Sequence, residues 1–323
     1  MPTIRTGTGA EVWARDLAQG LRLREHTVDL QILPHWMQFM PWAAGKPEKT
    51  PDITVANSWT AAAHSGPGPL VTVMHHVVHD DSLDDFKSPY QRFYHRAMVL
   101  PMELSAVERS AALVTVSEHA AAQIRRKFGP VACEVVHNGV DIDFFTPGPP
   151  RRRTRPFELL FVGKPSRRKA FDVVQEAVAR IGSDYRLTVV GSEPEAGLRI
   201  DPATRHLGRV SRERLRDAYR SADLLVFPSR LEGFGYAAAE AMACGTPVLC
   251  TADSAVAEIV GAEAGIVVSS LAPQELGRAV REIALPSERL ARLGTAARDR
   301  IERRFSRSRW LDDMEGLLLR VAR

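Results

Sequence analysis

The chain has 323 residues, of which 45% are hydrophobic and 25% are charged. This composition is that of a globular protein and excludes a disordered or fibrous chain, and the length favours two domains. Lysine and arginine exceed aspartate and glutamate by only four, 43 against 39, which argues against nucleic-acid binding. No apolar run reaches the roughly 18 residues of a membrane span, and the first residues lack the apolar core of a signal peptide. We therefore expect a cytoplasmic protein with at most peripheral membrane contact.

Short apolar runs alternate with helical stretches from Thr27 onward, which is typical of parallel α/β sheets whose strands are buried on both faces. The predicted strands of the first half are residues 28–33, 52–57, 70–74, 112–116 and 133–137. Those of the second half are residues 158–163, 186–191, 223–228, 246–251 and 264–269. The fold class is therefore α/β, with a parallel sheet in each half.

The segment TPGPPRRRTRP at 146–156 separates the two halves and has the composition of a linker. We predict domains at 1–147 and 148–305, and we interpret the arginines as a solvated charge run in preference to a polyanion-binding patch. Residues 306–323 carry apolar side chains at helical spacing, and we expect this final helix to pack back toward the first domain. The cysteines, whose spacing suggests neither a zinc site nor a disulfide framework and which we expect to be reduced thiols, are Cys133, Cys244 and Cys250.

The stretch SRLEGFGYAAAEAMACGTPVLC at 229–250 follows a predicted strand, where ligands of open α/β sheets bind. Gly233 and Gly235 would let the backbone approach a ligand closely. A helix starting near Tyr236 would direct its N–H groups and partial positive charge at an anion such as a phosphate. Glu240 lies on this alanine-rich helix with no cation one turn away. It either faces solvent or, if it is buried, needs hydrogen-bond donors such as sugar hydroxyls.

Glu232 and Glu240, separated by seven residues within SRLEGFG…EAMACGTPV, resemble the most characteristic motif of the family-4 retaining glycosyltransferases. FVGKPSRRKAFDVVQEA, from residue 161, resembles that family's phosphate-contacting segment, and VVHNGVDIDFF, from residue 135, resembles its element before the hinge. The resemblance covers nearly the whole chain, more loosely before Val135. It implies the GT-B fold, in which two Rossmann-like parallel-sheet domains face each other across a cleft.

The resemblance also implies how the second domain would bind a nucleotide-sugar donor. Glu240 would hold the ribose hydroxyls of the nucleotide, and Glu232 would contact hydroxyls of the donor sugar. Backbone N–H groups of Gly233, Phe234 and Gly235 would meet sugar or phosphate oxygens. These five residues form the predicted donor site in the glycine-containing loop at 229–235 and the helix that follows it.

Lys169 matches the diphosphate-binding lysine of the family, and Gly163 and Lys164 belong to the same segment. Lys164 stands where the family usually has arginine, so the charge is kept but the bidentate geometry is lost. Two cations and a helix N-terminus would stabilise the charge that develops on the leaving diphosphate, so no metal or other cofactor is obligatory. The resemblance implies retention of the anomeric configuration, with the leaving phosphate as base.

The first domain contains a glycine-containing loop, TGTGAEVW at 6–13, which alone is a weak signal. It resembles the family's doubled-glycine loop over the donor phosphates, with Thr8 in place of the first glycine and Gly9 as the second. Only MPTI precedes this loop, which is too short for the family's usual first strand. We therefore expect a first domain without that strand, because residues precede Met1 or because the domain is altered.

Histidines after the strand at 70–74 are candidates for the cleft. By the resemblance, His75 best matches the histidine near donor sugar and acceptor, His76 is second, and Ser117 is a strand-end residue of the acceptor site. His75, His76 and His79 could instead form the metal site of a hydrolase. Their spacing matches no zinc signature, so we favour the cleft histidine and predict no metal site.

The sequence thus predicts a retaining glycosyltransferase that moves a hexose or related sugar from a nucleotide sugar to an acceptor. The nucleotide could be UDP, GDP, ADP or dTDP, and the acceptor a small natural product, a glycan or a lipid-linked molecule. An epimerase or phosphorylase of nucleotide sugars on the same fold is the near alternative. The metal-dependent hydrolase and a non-catalytic nucleotide binder are the others, and the sequence indicates no particular oligomeric state.

Overall fold

The computed structural model describes residues 1–5, 9–39, 50–61, 68–79, 87–149, 156–284 and 287–323. The chain forms two compact units. The first comprises Met1–Gly139 and Ser308–Arg323, and the second comprises Val140–Arg307. Thr8 and the arginine run at 151–155 lie outside the described residues, so what we expect of them stays a prediction.

The described part of the first unit forms two small parallel sheets. Its strands are β1 (Pro2–Ile4), β2 (Gln31–Leu33), β3 (Thr54–Asn57), β4 (Leu70–Met74), β5 (Ala112–Thr115) and β6 (Glu134–Val135). Its helices are α1 (Gly9–Leu23), α2 (Pro89–Tyr94), α3 (Leu100–Arg109), α4 (Glu118–Phe128) and α11 (Arg307–Val321), with a 3-10 turn at His35–Gln38 and a π-helical turn at His95–Val99. Strands β3, β4, β5 and β6 pair in that order, and β1 pairs with β2, all in parallel.

Strand β1 corrects the expectation that the first domain lacks its first strand. The backbone N–H of Gln31 donates to the carbonyl of Met1 at 3.0 Å, and that of Arg5 donates to the carbonyl of Leu33 at 2.8 Å. All three residues of β1 are buried. Three residues are therefore enough to form the strand, because the residues flanking it complete the hydrogen-bond ladder with β2.

Helix α11 completes the core of the first unit. Its apolar face, which includes Trp310, Met314 and Leu317, lies in one buried cluster with side chains of α1, β3, β4 and β5. The rings of Trp13 and Trp310 are 5.9 Å apart. A helix that follows the second unit along the chain thus supplies core side chains to the first.

The second unit has a six-stranded parallel sheet in the order β12-β11-β10-β7-β8-β9. Its strands are β7 (Phe157–Val162), β8 (Tyr185–Val190), β9 (Arg205–His206), β10 (Leu224–Val226), β11 (Val248–Thr251) and β12 (Gly265–Val268). Its helices are α5 (Phe171–Ile181), α6 (Arg212–Ser221), α7 (Tyr236–Ala243), α8 (Ala255–Ala264), α9 (Pro273–Ala284) and α10 (Ser287–Arg304).

Every apolar run predicted as a strand overlaps an observed one, which confirms the α/β assignment. The runs are informative because strands of a parallel sheet are buried on both faces, and β4, β10 and β11 are buried at every residue. The strands that the sequence did not indicate, β1 and β9, have only three and two residues.

The three cysteines are unpaired, and Cys244 and Cys250 are buried. Burial raises the pKa of each of these two thiols to about 12, so both stay protonated at neutral pH. None of the helices in the described ranges is long and apolar enough to cross a membrane.

Candidate active site

The loops that follow β7 and β10 meet at the carboxyl edge of the second unit's sheet, because these two strands are neighbours. Lys169 comes from the first loop and Glu232 from the second. Nζ of Lys169 lies 2.7 Å from Oε1 of Glu232, and the two side chains are only 15% and 16% exposed. The structure thus joins two of the predicted site residues in a mostly buried ion pair, at the position where ligands of open α/β sheets bind.

Glu232 is held in its charged form. Ser229 donates its hydroxyl to Oε1 at 3.0 Å. Burial would raise the pKa of Glu232, but Lys169 and Arg168, together with the hydrogen bonds, lower that pKa below its usual value. Arg168 also donates to the carbonyl of Leu231 at 2.8 Å, which ties the two loops together. At neutral pH Glu232 is therefore a fixed hydrogen-bond acceptor.

Gly163, directly after β7, makes room for Lys169. Its φ is +126°, a conformation that side chains disfavour, and a Cβ there would lie 3.0 Å from Cε and 3.1 Å from Nζ of Lys169. The ammonium group also lies 4.7 Å from the centroid of the Phe227 ring, within range of a cation–π interaction. Lys164, by contrast, is exposed, so the two predicted cations have different surroundings.

The loop with Glu232 leads into α7 through a glycine turn. Gly235 has φ +103°, and a Cβ there would lie 2.9 Å from Cγ2 of Val256, so the chain needs glycine at this position. Phe234 is buried, and its ring centroid is 5.3 Å from that of Tyr236. Within the described residues no side chain caps α7. Its N-terminal partial positive charge therefore adjoins the loop of Gly233 and Glu232.

Glu240 is partly buried in the middle of α7. Tyr219 on α6 donates its hydroxyl to Oε2 of Glu240 at 2.8 Å, so the alternative of a free carboxylate on a solvent face is wrong. Burial raises the pKa of Glu240 to about 7, although the Tyr219 hydrogen bond and the charge of Arg212 oppose the rise. Oε1 accepts no hydrogen bond from any part of the chain that the structure describes. Oε1 therefore still has its capacity to accept a hydrogen bond.

In the first unit, His75 follows β4, and its ring lies edge-on to Trp13 of α1 with centroids 5.2 Å apart. Burial, and then the charge of neighbouring His76, lower the pKa of His75 to about 3. His75 is therefore neutral throughout the physiological range and cannot carry a positive charge there. Gly9 is the first residue of α1, one helical turn before Trp13.

Ser117 has a structural role in the first unit. Its side chain caps α4 by accepting the backbone N–H of Ala120 at 3.1 Å, and the residue is buried. This contact uses the hydroxyl oxygen as a helix cap. The proposed contact of Ser117 with an acceptor stays a prediction.

Two histidines of the hydrolase alternative, His75 and His79, have different partners. Nε2 of His79 lies 2.9 Å from Oε2 of buried Glu103, whereas His75 packs on Trp13. Oε1 of Glu103 accepts hydrogen bonds from Ser58 and Trp59. Among the residues described here, no three potential ligands are grouped to hold a metal ion.

Three residues of the observed contacts were not indicated by the sequence: Tyr219, Arg168 and Trp13. Tyr219 had a usable signal, because it is the one aromatic residue in the strongly polar helix RERLRDAYRS. A buried aromatic hydroxyl needs a partner. Its partner Glu240 lies 21 positions away along the chain, a distance at which sequence spacing carries no information about contact.

Two family models match the chain. Residues 146–300 match the model described as glycosyl transferases group 1, and residues 34–144 match that of glycosyltransferase family 4. A D-inositol 3-phosphate glycosyltransferase of Gordonia bronchialis is 30% identical over 242 residues, which cover 66% of this chain and 53% of that protein. The protein of the same name from Geodermatophilus obscurus is 34% identical over 226 residues, which cover 61% and 50%. The chain thus spans about half the length of the curated relatives that it matches.

Solved structures share the fold over almost the whole chain. Sucrose-phosphate synthase from Thermosynechococcus elongatus superposes with a TM-score of 0.83 at 19% identity, covering 98% of this chain and 94% of that one. Anabaena HepE, solved in complex with UDP and glucose, superposes with a TM-score of 0.73 at 16% identity, covering 98% of both chains. At these identities the likeness establishes the fold alone, which is the predicted GT-B fold with Rossmann-like domains.

Proposed function

Because the chain belongs to the family-4 glycosyltransferases of group 1, we propose that it transfers a sugar from a nucleoside-diphosphate sugar to an acceptor, with retention of the anomeric configuration. HepE, which has the same fold, binds UDP and UDP-glucose, and this supports a nucleotide-sugar donor. The matched relatives are named for D-inositol 3-phosphate. A small phosphorylated polyol is therefore the first acceptor to test, before natural-product, glycan or lipid-linked acceptors.

The observation that carries the proposal is the Lys169–Glu232 ion pair beside the uncapped N-terminus of α7. Burying an ion pair costs desolvation free energy, which further hydrogen bonds to the two charged groups can offset. A ligand that contacts both charges would supply such bonds. In a donor complex, Lys169 would face the diphosphate and Glu232 the hydroxyls of the sugar. As the sugar–phosphate bond breaks, negative charge grows on the leaving diphosphate. The ammonium group and the helix N-terminus would stabilise that charge where it develops.

The remaining residues would hold the donor in place. Oε1 of Glu240 would accept a hydrogen bond from a ribose hydroxyl of the nucleotide, and backbone N–H groups around Gly235 would contact phosphate or sugar oxygens. His75, neutral at physiological pH, would offer a hydrogen bond near the sugar without acting as a charged acid. The departing phosphate oxygen would take the acceptor's proton, so the transfer needs no side-chain base and no metal.

The direct test is a transfer assay with UDP-, GDP-, ADP- and dTDP-sugars and D-inositol 3-phosphate as the first acceptor. We expect acceptor-dependent release of a nucleoside diphosphate, a product that keeps the donor's anomeric configuration, and unchanged turnover with a chelator present. Epimer formation or phosphate-dependent release without acceptor would instead show the epimerase or phosphorylase. Loss of turnover with the chelator would contradict the metal-independent mechanism.

Lys169→Ala tests the charge at the leaving group. We expect kcat to fall by about 10²–10³, the usual cost of removing one group that stabilises developing charge. The matched control is Lys127→Ala, which removes an exposed lysine of α4 and should leave turnover unchanged. Since Lys169→Ala also leaves Glu232 unpaired, the double variant Lys169→Ala/Glu232→Ala should be measured beside it. Turnover within about threefold of wild type in both variants would remove Lys169 from the mechanism.

A further inference from the structure

A fully buried tyrosine contacts the proposed ribose-binding carboxylate. The Tyr219 side chain on α6 has no exposed surface, and its hydroxyl lies 2.8 Å from Oε2 of Glu240 on α7. The contact occupies one oxygen of the carboxylate. The other oxygen, Oε1, is left without a partner among the described residues.

The ring of Tyr219 is fixed by its neighbours. Phe145 packs against it edge-on, with ring centroids 6.0 Å apart, and Phe145 is itself buried. Thr246 donates its hydroxyl to the backbone carbonyl of Tyr219 at 2.7 Å. A side chain packed in this way has one rotamer available, so the phenol group holds a fixed position relative to α7.

The direction of the hydrogen bond follows from protonation. Burial, and then the proximity of Glu240, raise the pKa of Tyr219 well above its usual value. Its phenol is therefore neutral and donates its proton, while the carboxylate accepts it. Hydrogen bonds to ionised groups are stronger and more directional than those between neutral groups.

We propose that Tyr219 is a positioning residue for donor binding: it holds Oε2 of Glu240 so that Oε1 is presented to a ribose hydroxyl of the nucleoside diphosphate. This inference rests on the proposed function, because it requires a nucleotide at Glu240. It adds a residue that does not touch the nucleotide but sets the orientation and charge of the group that does.

The contact also couples nucleotide binding to pH. The pKa of Glu240 is about 7 because of burial, and the Tyr219 hydrogen bond keeps it from being higher. A carboxylate accepts a ribose hydroxyl better than a carboxylic acid does, so affinity should rise as the pH passes upward through about 7. Without the phenol, the same rise should need a higher pH.

Other ionisable groups lie around Glu240, and their charges shift one another's pKa values. Arg212 on α6 lowers the pKa of Glu240, and Glu240 raises that of the Cys244 thiol just beyond α7. Helices α8 and α10 also pack against α7, and they carry Glu258 and Arg298. Arg298 donates to the carbonyl of Ala243 and to Glu302. Among the residues that the structure describes, Tyr219 is the group that donates a hydrogen bond directly to the carboxylate.

The test compares wild type with Tyr219→Phe, which removes only the hydroxyl. Dissociation constants are measured by calorimetry for UDP, GDP and ADP and for their 2′-deoxy analogues, from pH 6 to pH 9. For wild type we expect the ribonucleotide to bind about tenfold or more tightly than its 2′-deoxy analogue at pH 8, the scale of one hydrogen bond to a charged group. For Tyr219→Phe we expect this ratio to fall below about threefold at the same pH, and the pH midpoint of binding to rise.

Two controls separate positioning from general destabilisation. Tyr185→Phe removes a hydroxyl at the start of β8, the opposite end of the strands, and should leave both ratio and midpoint unchanged. In a Glu240→Ala background, adding Tyr219→Phe should change neither, because no side-chain acceptor is left at position 240 for the phenol to position.

The outcomes distinguish the two proposals. If wild type binds none of the three nucleotides, the proposed function fails and the inference fails with it. If wild type binds with the expected preference for ribose but Tyr219→Phe keeps the same ratio and midpoint, only the inference fails. An equally large effect of Tyr219→Phe in the Glu240→Ala background would also overturn it, because Tyr219 would then act independently of the side chain at position 240.

Discussion

At the scale of single residues, the two glutamates of the site are shifted in opposite directions. Lys169 and Arg168 hold the pKa of Glu232 below its usual value despite burial. Burial raises the pKa of Glu240 to about 7, and the neutral phenol that donates to it from the described residues offsets this rise only in part. One carboxylate is thus firmly charged at neutral pH, whereas the other is balanced between its two protonation states.

The raised pKa of Glu240 predicts a stability cost in the ligand-free protein. Because the folded state binds this proton more tightly than the unfolded state, the contribution of Glu240 is fully favourable below its unfolded pKa of about 4.3 and is lost as the pH rises to about 7. Glu240→Gln should therefore match wild type near pH 4 and exceed it at pH 8 by about 1–2 kcal/mol, reduced from the full linkage value because the side chain is partly exposed. Urea unfolding at the two pH values measures this difference.

Glu232→Gln is the control of opposite sign. The lowered pKa of Glu232 means that its carboxylate stabilises the fold above the unfolded pKa and loses this effect as the pH falls. The variant should therefore be less stable than wild type at pH 7. A gap between Glu240→Gln and wild type that stays constant from pH 4 to pH 8 would contradict the assignment.

The sequence singled out charged residues of the candidate site but not their environments. Glu232, Glu240 and Lys169 were singled out through their resemblance to the family's motifs, and their roles stay predictions. Whether Glu240 faced solvent stayed open, because burial depends on Tyr219, which lies on another helix. The low pKa of His75 depends likewise on packing against α1. Environment is a property of contacts between distant segments, and single-sequence patterns report mainly local ones.

At the scale of elements, the site depends on the close approach of strand ends. Gly163 follows β7 and Gly191 follows β8, and a Cβ on Gly191 would lie only 2.0 Å from the carbonyl oxygen of Gly163. The backbone N–H of Gly163 donates to Val190 at 2.8 Å. Glycine is thus required where the backbone leaves strands β7 and β8. At the same place the side chain of Lys169 lies next to Gly163.

Gly191→Ala should therefore disturb both stability and the site. The methyl group would meet backbone and not a flexible side chain, so the strand ends must separate. We expect a loss of about 2–4 kcal/mol in the second unit and weaker nucleotide binding, measured by amide hydrogen exchange and calorimetry. Gly316→Ala is the matched control, because the nearest atom to its Cβ would be Nη1 of Arg320 at 3.9 Å. That helical substitution should be neutral or stabilising by up to about 1 kcal/mol.

Elements were predictable where burial made the strands apolar, and not where they were short. The runs at 70–74 and 112–116 give β4 and β5 almost to the residue. Strand β1 was missed because three residues carry too little pattern, although its hydrogen bonds to β2 are complete. The glycine turn before α7 was predictable, since two glycines follow the predicted strand at 223–228 within seven residues and only glycine adopts φ +103° easily.

At the scale of the whole molecule, the first unit consists of two segments of the chain, and the second unit lies between them in the sequence. The chain leaves the first unit at Gly139, builds all of the second, and returns at Ser308. Leu317 of α11 has no exposed surface and belongs to the same buried cluster as Leu17 and Val71. The first unit's core is therefore assembled from segments on both sides of the second unit.

Leu317→Ala tests this dependence. Removing a fully buried leucine side chain should cost the first unit about 2–5 kcal/mol. Amide protons of β3, β4 and β5 should then exchange faster, while those of β7, β8 and β10 keep their protection. Leu319→Ala, on the same helix but 48% exposed, should change exchange in neither unit. Equal loss of protection in both units would show that α11 does not stabilise the first unit selectively.

The return of the chain through α11 also determines when each unit can mature during synthesis. A ribosome produces residues 1–139 first, yet their core has gaps at the positions of Trp310, Met314 and Leu317 until translation has passed the second unit. The second unit draws its core from a continuous stretch of chain and can close as soon as that stretch emerges. The unit that begins first is thus the unit that is completed last. Until α11 has been synthesised, the apolar surface of the first unit stays exposed, and such surface is prone to aggregation.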